Sequence, residues 1–298
     1  MQTNNILRIL FYTLLLISIL NCKDGINDPV QDEDTTPILA LPIRSVSASL
    51  GTEVVDLLAT RNLEEREYQI WEEIQSGNLP LFLHQFVPVN FHVQLNDETY
   101  FVTLYVLPDY IALGSDTDYF YCPMTPILAQ KIADSLGCSL PTRKIVDQIW
   151  EQAPLKLTPA PIPPSDIMTT IPVFFQHSNM IHSQRDSYLD EFPLGTLVGG
   201  HKKDVIVSNR IFNNQSKVVI YGWHQPDGNP IQPLYAGHAN WYADYSHGIR
   251  LIHNRCIVNG STTTVKEILV DQTLYALLSD EDGPMQLTDY PTDNFIYP

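Results

Sequence analysis

The chain has 298 residues, 44% of them hydrophobic and 17% charged, which is the balance of a globular protein and not of a disordered one. Its 17 Lys and Arg stand against 34 Asp and Glu, for a formal charge of −17. That charge excludes a nucleic-acid partner, because binding a phosphate backbone needs clustered cations. Four cysteines with no CxxC and no Cys/His pair at zinc spacing are too few and too scattered for a disulfide scaffold or a structural zinc site.

The first residues read as an export signal. Arg8 and the free amine are followed by an apolar run, Ile9 to Leu20, too short to span a bilayer as a helix. The sequence Ile19-Leu20-Asn21-Cys22 then resembles a bacterial lipobox, with Asn21 where a small residue is usual. The resemblance implies a signal peptide over 1–21 and a lipid on Cys22. Acyl chains there would hold the protein to the membrane, each buried methylene contributing about 0.8 kcal/mol. The expected location is the cell envelope, anchored to the outer membrane on its periplasmic or surface face. Residues 22–45 open with Lys23-Asp24 and continue acidic, with Gly and Pro, so they predict a solvated flexible tether. The Cys-Lys-Asp start also resembles the surface-export signals of some lipoproteins. Residues 46–298 are expected to form a single domain, and no second apolar run reaches transmembrane length. Cys122, Cys138 and Cys256 remain, as one disulfide and one thiol or as three buried thiols.

Thr52 to Leu58 predicts a short helix. A second starts at Asn62, with Glu65 as its capping-box partner, and stops at Gly77. Leu81 to Val89 is an apolar piece interrupted by Pro88. Phe91–Leu95 and Tyr100–Leu107 flank Asn96-Asp97-Glu98 and read as a hairpin, with Tyr110–Leu113 continuing the sheet. Thr125-Pro126 and Thr142 start two helices joined through Cys138-Ser139-Leu140-Pro141. Leu157 to Ser165 holds four prolines and predicts a semi-rigid strap. A helix over Thr169 to Arg185 follows, and then strands at 205–208, 218–223, 231–235 and 249–252, with Asp227-Gly228-Asn229-Pro230 as a hairpin turn. Val265 to Leu278 is a last amphipathic segment. The fold class expected is α+β, with helices mainly in the N-terminal half packed on a largely antiparallel sheet from the C-terminal half.

The sequence contains no GxSxG, no HExxH and no Gly-rich phosphate loop, so nucleotide, cofactor and metal sites are not expected. His177 and His182, five apart on a helix, do not share a face. A carboxylate pair drawn from Asp109, Asp116, Asp118, Asp204 and Asp244 stays open as glycosidase chemistry, because such pairs are remote in sequence. The densest stretch is Gly237 to His253, with three histidines, Asp244, Ser246, Arg250, Trp241 and two tyrosines. On one continuous strand, Asp244 and Arg250 share a face and can pair, with His247 on the other face. The alternative, preferred because of Gly248, is a bend at Ser246-His247-Gly248 before a strand beginning at Ile249.

Cys122 lies just before the Thr125-Pro126 helix start, where a helix dipole favours a thiolate. Leu136-Gly137-Cys138-Ser139-Leu140-Pro141 resembles the end of the nucleophile helix in NlpC/P60 cell-wall peptidases, and Ser246-His247-Gly248-Ile249 resembles that family's histidine strand. The resemblance implies a hydrolase of cell-wall or other extracellular polymer. Cys122 would be its nucleophile, His247 its base, and Asp244 or His201 the supporting group. The family's Asp-Cys-Ser-Gly is absent; Tyr121-Cys122-Pro123-Met124 stands in its place. The other expectation is a non-catalytic surface module that binds glycan, peptidoglycan or protein. Trp241 and Tyr242 would stack on the ligand, and Lys202 and Arg250 would supply cations.

Overall fold

Side-chain caps fix where most helices begin in the computed structural model, which describes residues 35–293 and 295–298. The export signal, Cys22 and the tether up to residue 34 lie outside the described residues. The first helix, α1 (Gly51–Ala59), is followed by α2 (Leu63–Gln75). Asn62 caps α2: its side chain accepts from the Glu65 amide while the Glu65 carboxylate accepts from the Asn62 amide. Gly77 ends the helix at φ +81°, where a Cβ would sit 2.1 Å from the Pro42 carbonyl oxygen. Only glycine fits there. Thr125 and Thr142 cap α3 (Pro126–Ser135) and α4 (Arg143–Gln152) as expected. In α5 (Ile171–Arg185) the proline at 172 falls in the first turn, where no amide hydrogen bond is lost. After α6 (Asn209–Asn213), the last amphipathic segment divides. Its helix, α7 (Val265–Val270), stops because the Asp271 carboxylate captures the amides of Thr273 and Leu274, and a separate short turn covers Leu274–Leu277.

The strands in chain order are β1 (Val87–Leu95), β2 (Glu98–Val106), β3 (Ala112–Ser115), β4 (Asp118–Tyr121), β5 (Cys138–Ser139), β6 (Leu155–Lys156) and β7 (Val198–Gly199). They continue with β8 (Lys203–Val205), β9 (Ile220–His224), β10 (Pro230–Tyr235), β11 (His247–Gly248), β12 (Ile252–His253), β13 (Arg255–Val258) and β14 (Ser261–Thr264). Asn96 and Asp97 both take positive φ, 50° and 65°, and close β1–β2 as a two-residue turn with Glu98 already in the strand. Two such residues match the right-handed twist of the flanking strands. Strand β2 is the centre of a six-stranded sheet: β1 pairs along one side of it, β12 and β13 along the other, with β14 and β5 beyond them. A second sheet runs β10-β9-β8-β11, antiparallel except for its parallel β8–β11 pair. The fold is α+β, with most helices in the first half and most strands in the second. The longest strands, β1 and β2, nevertheless come from the first half.

Ile70 and Ile74 of α2, Leu104 and Val106 of β2, Phe174 of α5 and Ile252 of β12 are all buried in one core. Cys122, Cys138 and Cys256 are buried free thiols. The compact unit begins at Thr36, so residues 36–45, assigned to the tether by composition, are folded. Leu39 is buried, its amide donates to His84 O, and Arg44 donates to Asn78 Oδ1, Ala48 O and Ser49 O. The proline strap is pinned by Tyr245, whose hydroxyl accepts from Ile162 N and donates to Ile162 O. Near the C-terminus, the Tyr290 hydroxyl accepts from Val219 N and donates to Ile206 O, while the Tyr290 amide donates to Gln130 Oε1 of α3. Among the described residues no helix is long and apolar enough to cross a membrane.

Strand β2 offers a direct check on where the core lies. Leu104→Ala is expected to lower unfolding free energy by about 2–5 kcal/mol, the cost of a buried leucine cavity. Phe101→Ala, on the same strand but 65% exposed, is expected to cost less than about 1 kcal/mol. Equal losses by urea denaturation would contradict the placement.

Candidate functional site

The parallel pairing of β8 with β11 sets His247 beside Lys203 and Gly248 beside Asp204. Gly248 is required there, because a Cβ would stand 2.6 Å from the Tyr110 ring and 2.7 Å from Lys202 Cβ. This strand is only His247–Gly248, and the strand expected over 249–252 does not form: residues 249–251 are not in a strand, and pairing resumes at Ile252 in β12. Before it the chain turns: the Asp244 carboxylate accepts from Ser246 N at 2.8 Å and from the Ser246 hydroxyl. The turn breaks strand alternation, so Asp244 and Arg250 do not pair. Arg250 is fully buried and donates to Leu107 O (2.9 Å) and Val198 O (2.7 Å), with its guanidinium over the Tyr110 ring. It has no surface face from which to meet a ligand.

Around β11 lies a buried cluster. Neither ring nitrogen of His247 has a hydrogen-bond partner, and the Tyr242 ring meets it edge-on at 5.8 Å. Burial holds the His247 pKa down to about 4, against an opposing pull from Asp244, so the imidazole is neutral at pH 7. Burial would raise the Asp244 pKa, but His247, Lys203 and the two bonds from Ser246 outweigh it and hold the carboxyl down to about 2. With His247 neutral, Lys203 and Ser246 carry that stabilisation at physiological pH. Lys202, expected to supply a cation to a surface ligand, is 1% exposed instead. It donates to Tyr245 O at 2.7 Å, and burial lowers its pKa to about 7.

The other proposed partners do not converge on His247. Cys122 is buried, with no hydrogen bond to His247 among the described residues. Burial and the nearby Glu67 push the thiol pKa far up, so the helix start does not yield a thiolate. His201 is bound instead to Asp109 Oδ1 at 2.9 Å, in a network where the Tyr121 hydroxyl holds the other carboxylate oxygen at 2.8 Å. Asp244, His247, Lys202 and Tyr242 are brought together, with Cys122 close enough to Lys202 to feel its charge; His201 and Arg250 are held by other partners.

Tyr242 joins the cluster to solvent. Its hydroxyl donates to Asp244 Oδ2 at 3.3 Å, and its ring stacks on His238 with centroids 4.1 Å apart. Its other side, with Trp241, Ala243, Thr169, Leu63 and Arg66, lines a cavity of about 220 Å³. Trp241 is 43% exposed. A larger cavity of about 540 Å³ lies elsewhere, between Asp116, Asp118, His182, Asp186 and Phe175. Its polar groups are largely committed: Asp118 holds Thr52 at the start of α1, Asp116 accepts from Phe82 N, and His182 bonds to Tyr119 O. The smaller cavity, which sits against the perturbed cluster, is the better candidate site.

Sequence reasoning passed over Arg66 here, weighed His177 only as a metal ligand, and placed Trp223 only among the aromatics that could stack on a sugar. Arg66 comes from α2, remote in sequence from Trp241, and carries no local signal of a site. His177 of α5 is buried edge-on to Tyr245 at 4.9 Å. Trp223 is held at φ +59°, a rare backbone for a bulky side chain, and packs on His177 and under Lys203 Nζ. Among the described residues no group of three or more His, Cys, Asp or Glu is arranged to hold a metal ion. No family model, curated protein or solved structure matches the chain.

The Asp244 carboxyl gives a pH test. Its folded pKa of about 2 lies below the free value of 3.8, so its contribution is present above pH 4 and is lost as pH falls toward 2. Asp244→Asn is expected to cost less than about 2 kcal/mol at pH 7, since neutral His247 no longer contributes there, and the gap to wild type should narrow toward zero by pH 2. A gap of constant size across denaturation curves at pH 7, 4 and 2 would refute this account.

Proposed function

We propose that the protein is an envelope-anchored lipoprotein whose Arg66–Trp241–Tyr242 cavity binds carbohydrate at the outer-membrane surface. The observation that carries this reading is the cavity itself: a half-exposed tryptophan, a second aromatic wall and a guanidinium around about 220 Å³. An aromatic face complements the C–H face of a sugar ring, while the Tyr242 and Thr169 hydroxyls and Arg66 can meet its polar edge. The lipobox-like Ile19-Leu20-Asn21-Cys22 supports the anchor, and the acidic tether after it would hold the cavity clear of the lipid.

Two experiments test this reading. Trp241→Ala is expected to weaken binding on a glycan array followed by calorimetry by more than tenfold, as removal of a central aromatic anchor does, while Cys122→Ala leaves it unchanged. Cys22→Ala is expected to move the protein from the detergent phase to the aqueous phase in phase partitioning and to abolish palmitate labelling. Unchanged partition would remove the anchor from the proposal.

One observation favours a second reading, hydrolysis of the bound polymer. A neutral imidazole, His247, and an ionised carboxylate, Asp244, lie directly behind Tyr242. In this reading His247 is the general base and Tyr242 must swing aside to admit water. Cleavage of muropeptides or extracellular polysaccharide would then rise as pH climbs through about 4, disappear in His247→Ala, and survive Cys122→Ala. Absence of cleavage in the wild type, with binding retained, leaves the module reading alone.

A further inference from the structure

In a chain of charge −17, the cavity beside Trp241 is lined by one cation and no carboxylate. That cation, Arg66, is only 8% exposed. Its Nη1 donates to Thr169 O at 3.0 Å, its guanidinium lies 5.3 Å from the Phe174 ring centroid, and its Nε is buried without a partner. Among the described residues Arg66 makes no ion pair within salt-bridge distance. The adjacent acid, Glu67, turns away from the cavity, with Oε2 accepting from Thr125 N and Thr125 Oγ1. Burial raises the Glu67 pKa, and Arg66 is the largest influence opposing that rise.

A guanidinium nine-tenths buried with no ion pair within salt-bridge distance is a costly arrangement that an anion in the cavity would relieve. Its planar donors suit a carboxylate in particular. Resting on the carbohydrate reading above, we infer that the cavity takes a sugar residue bearing a carboxylate, with the ring against Trp241 and the carboxylate on Arg66. Two kinds of sugar carry that chemistry: a uronic acid of a polysaccharide, and a peptidoglycan amino sugar with a lactyl ether. Fixation of Arg66 by Thr169 and Phe174 means little side-chain entropy remains to be lost on binding.

The test is calorimetry on the whole protein with five probes: a uronate-terminated oligosaccharide, a lactyl-ether amino-sugar disaccharide, the neutral counterpart of each, and acetate. One of the two acidic sugars is expected to bind at least tenfold more tightly than its neutral counterpart, and the preferred one identifies the source. The preference should shrink as salt is raised, in wild-type protein alone. Arg66→Gln should remove the preference, Arg66→Lys should keep part of it, and Trp241→Ala should weaken acidic and neutral sugars alike. The salt series and the lysine variant keep the test valid if the glutamine variant does not fold. Equal binding of acidic and neutral sugars would overturn the carboxylate inference and leave the carbohydrate reading standing. Failure of every sugar to bind would overturn the carbohydrate reading itself. Acetate binding as tightly as an acidic sugar would show an anion site without a sugar ring.

Discussion

The guanidinium of Arg250, fully buried at the junction of the two main sheets, is the constraint on which the geometry of the site depends. It donates to Leu107, just past β2, and to Val198 in β7, and it lies against the Tyr110 ring. The Tyr110 hydroxyl in turn holds Asp204 of β8, while its amide, Tyr121 and His201 hold Asp109. Arg250 favours the charged form of both acids, but the outcomes differ: burial still raises the Asp204 pKa to about 6, whereas, despite burial, His201 and Arg250 together bring Asp109 below its ordinary value. Removing one partner from a buried network of this kind strands the others, at a cost of about 3–5 kcal/mol. The result of the intact network is a fixed path for residues 199–204, which fixes β8, and through β8 the short strand carrying His247.

Burial dominates the electrostatics on the closed side of Tyr242. It lowers His247 to about 4 and Lys202 to about 7, and it drives Cys122 far upward. Asp244 escapes that trend because backbone, hydroxyl and ammonium donors all converge on it. The open side of Tyr242 is chemically simpler, with aromatic surface, one cation and solvent access. One tyrosine thus divides the cavity from the buried His247–Asp244 cluster: it lines the first, and its phenol donates to Asp244 in the second.

Features encoded over a few residues were legible from the sequence. The Asn62–Glu65 box, the Gly77 stop, the Thr125-Pro126 start and the β9–β10 hairpin each depend on neighbours within a turn, so residue type and spacing suffice. The close approach at Gly248 was legible too, although not what it approaches: Tyr110 and Lys202 arrive from remote parts of the chain. The failures share one cause. Arg44 and Leu39 look like tether until Asn78 and His84 are placed beside them. Asp244 and Arg250 look like a pair until a turn intervenes and two distant carbonyls claim the arginine. Cys122 and His247 occur in a suggestive order, but order along the chain says nothing of the distance between them. Arg66, the residue that gives the cavity its charge, is indistinguishable in sequence from any other helical arginine.

Tyr290 has a consequence for how the chain folds. Its hydroxyl occupies both Ile206 O and Val219 N in the second sheet, and its amide reaches Gln130 on α3. Those buried groups stay without these partners until Tyr290, 71, 84 and 160 residues away along the chain, has docked on them. Contacts of such sequence separation close slowly, because loop-closure entropy is lost before they form.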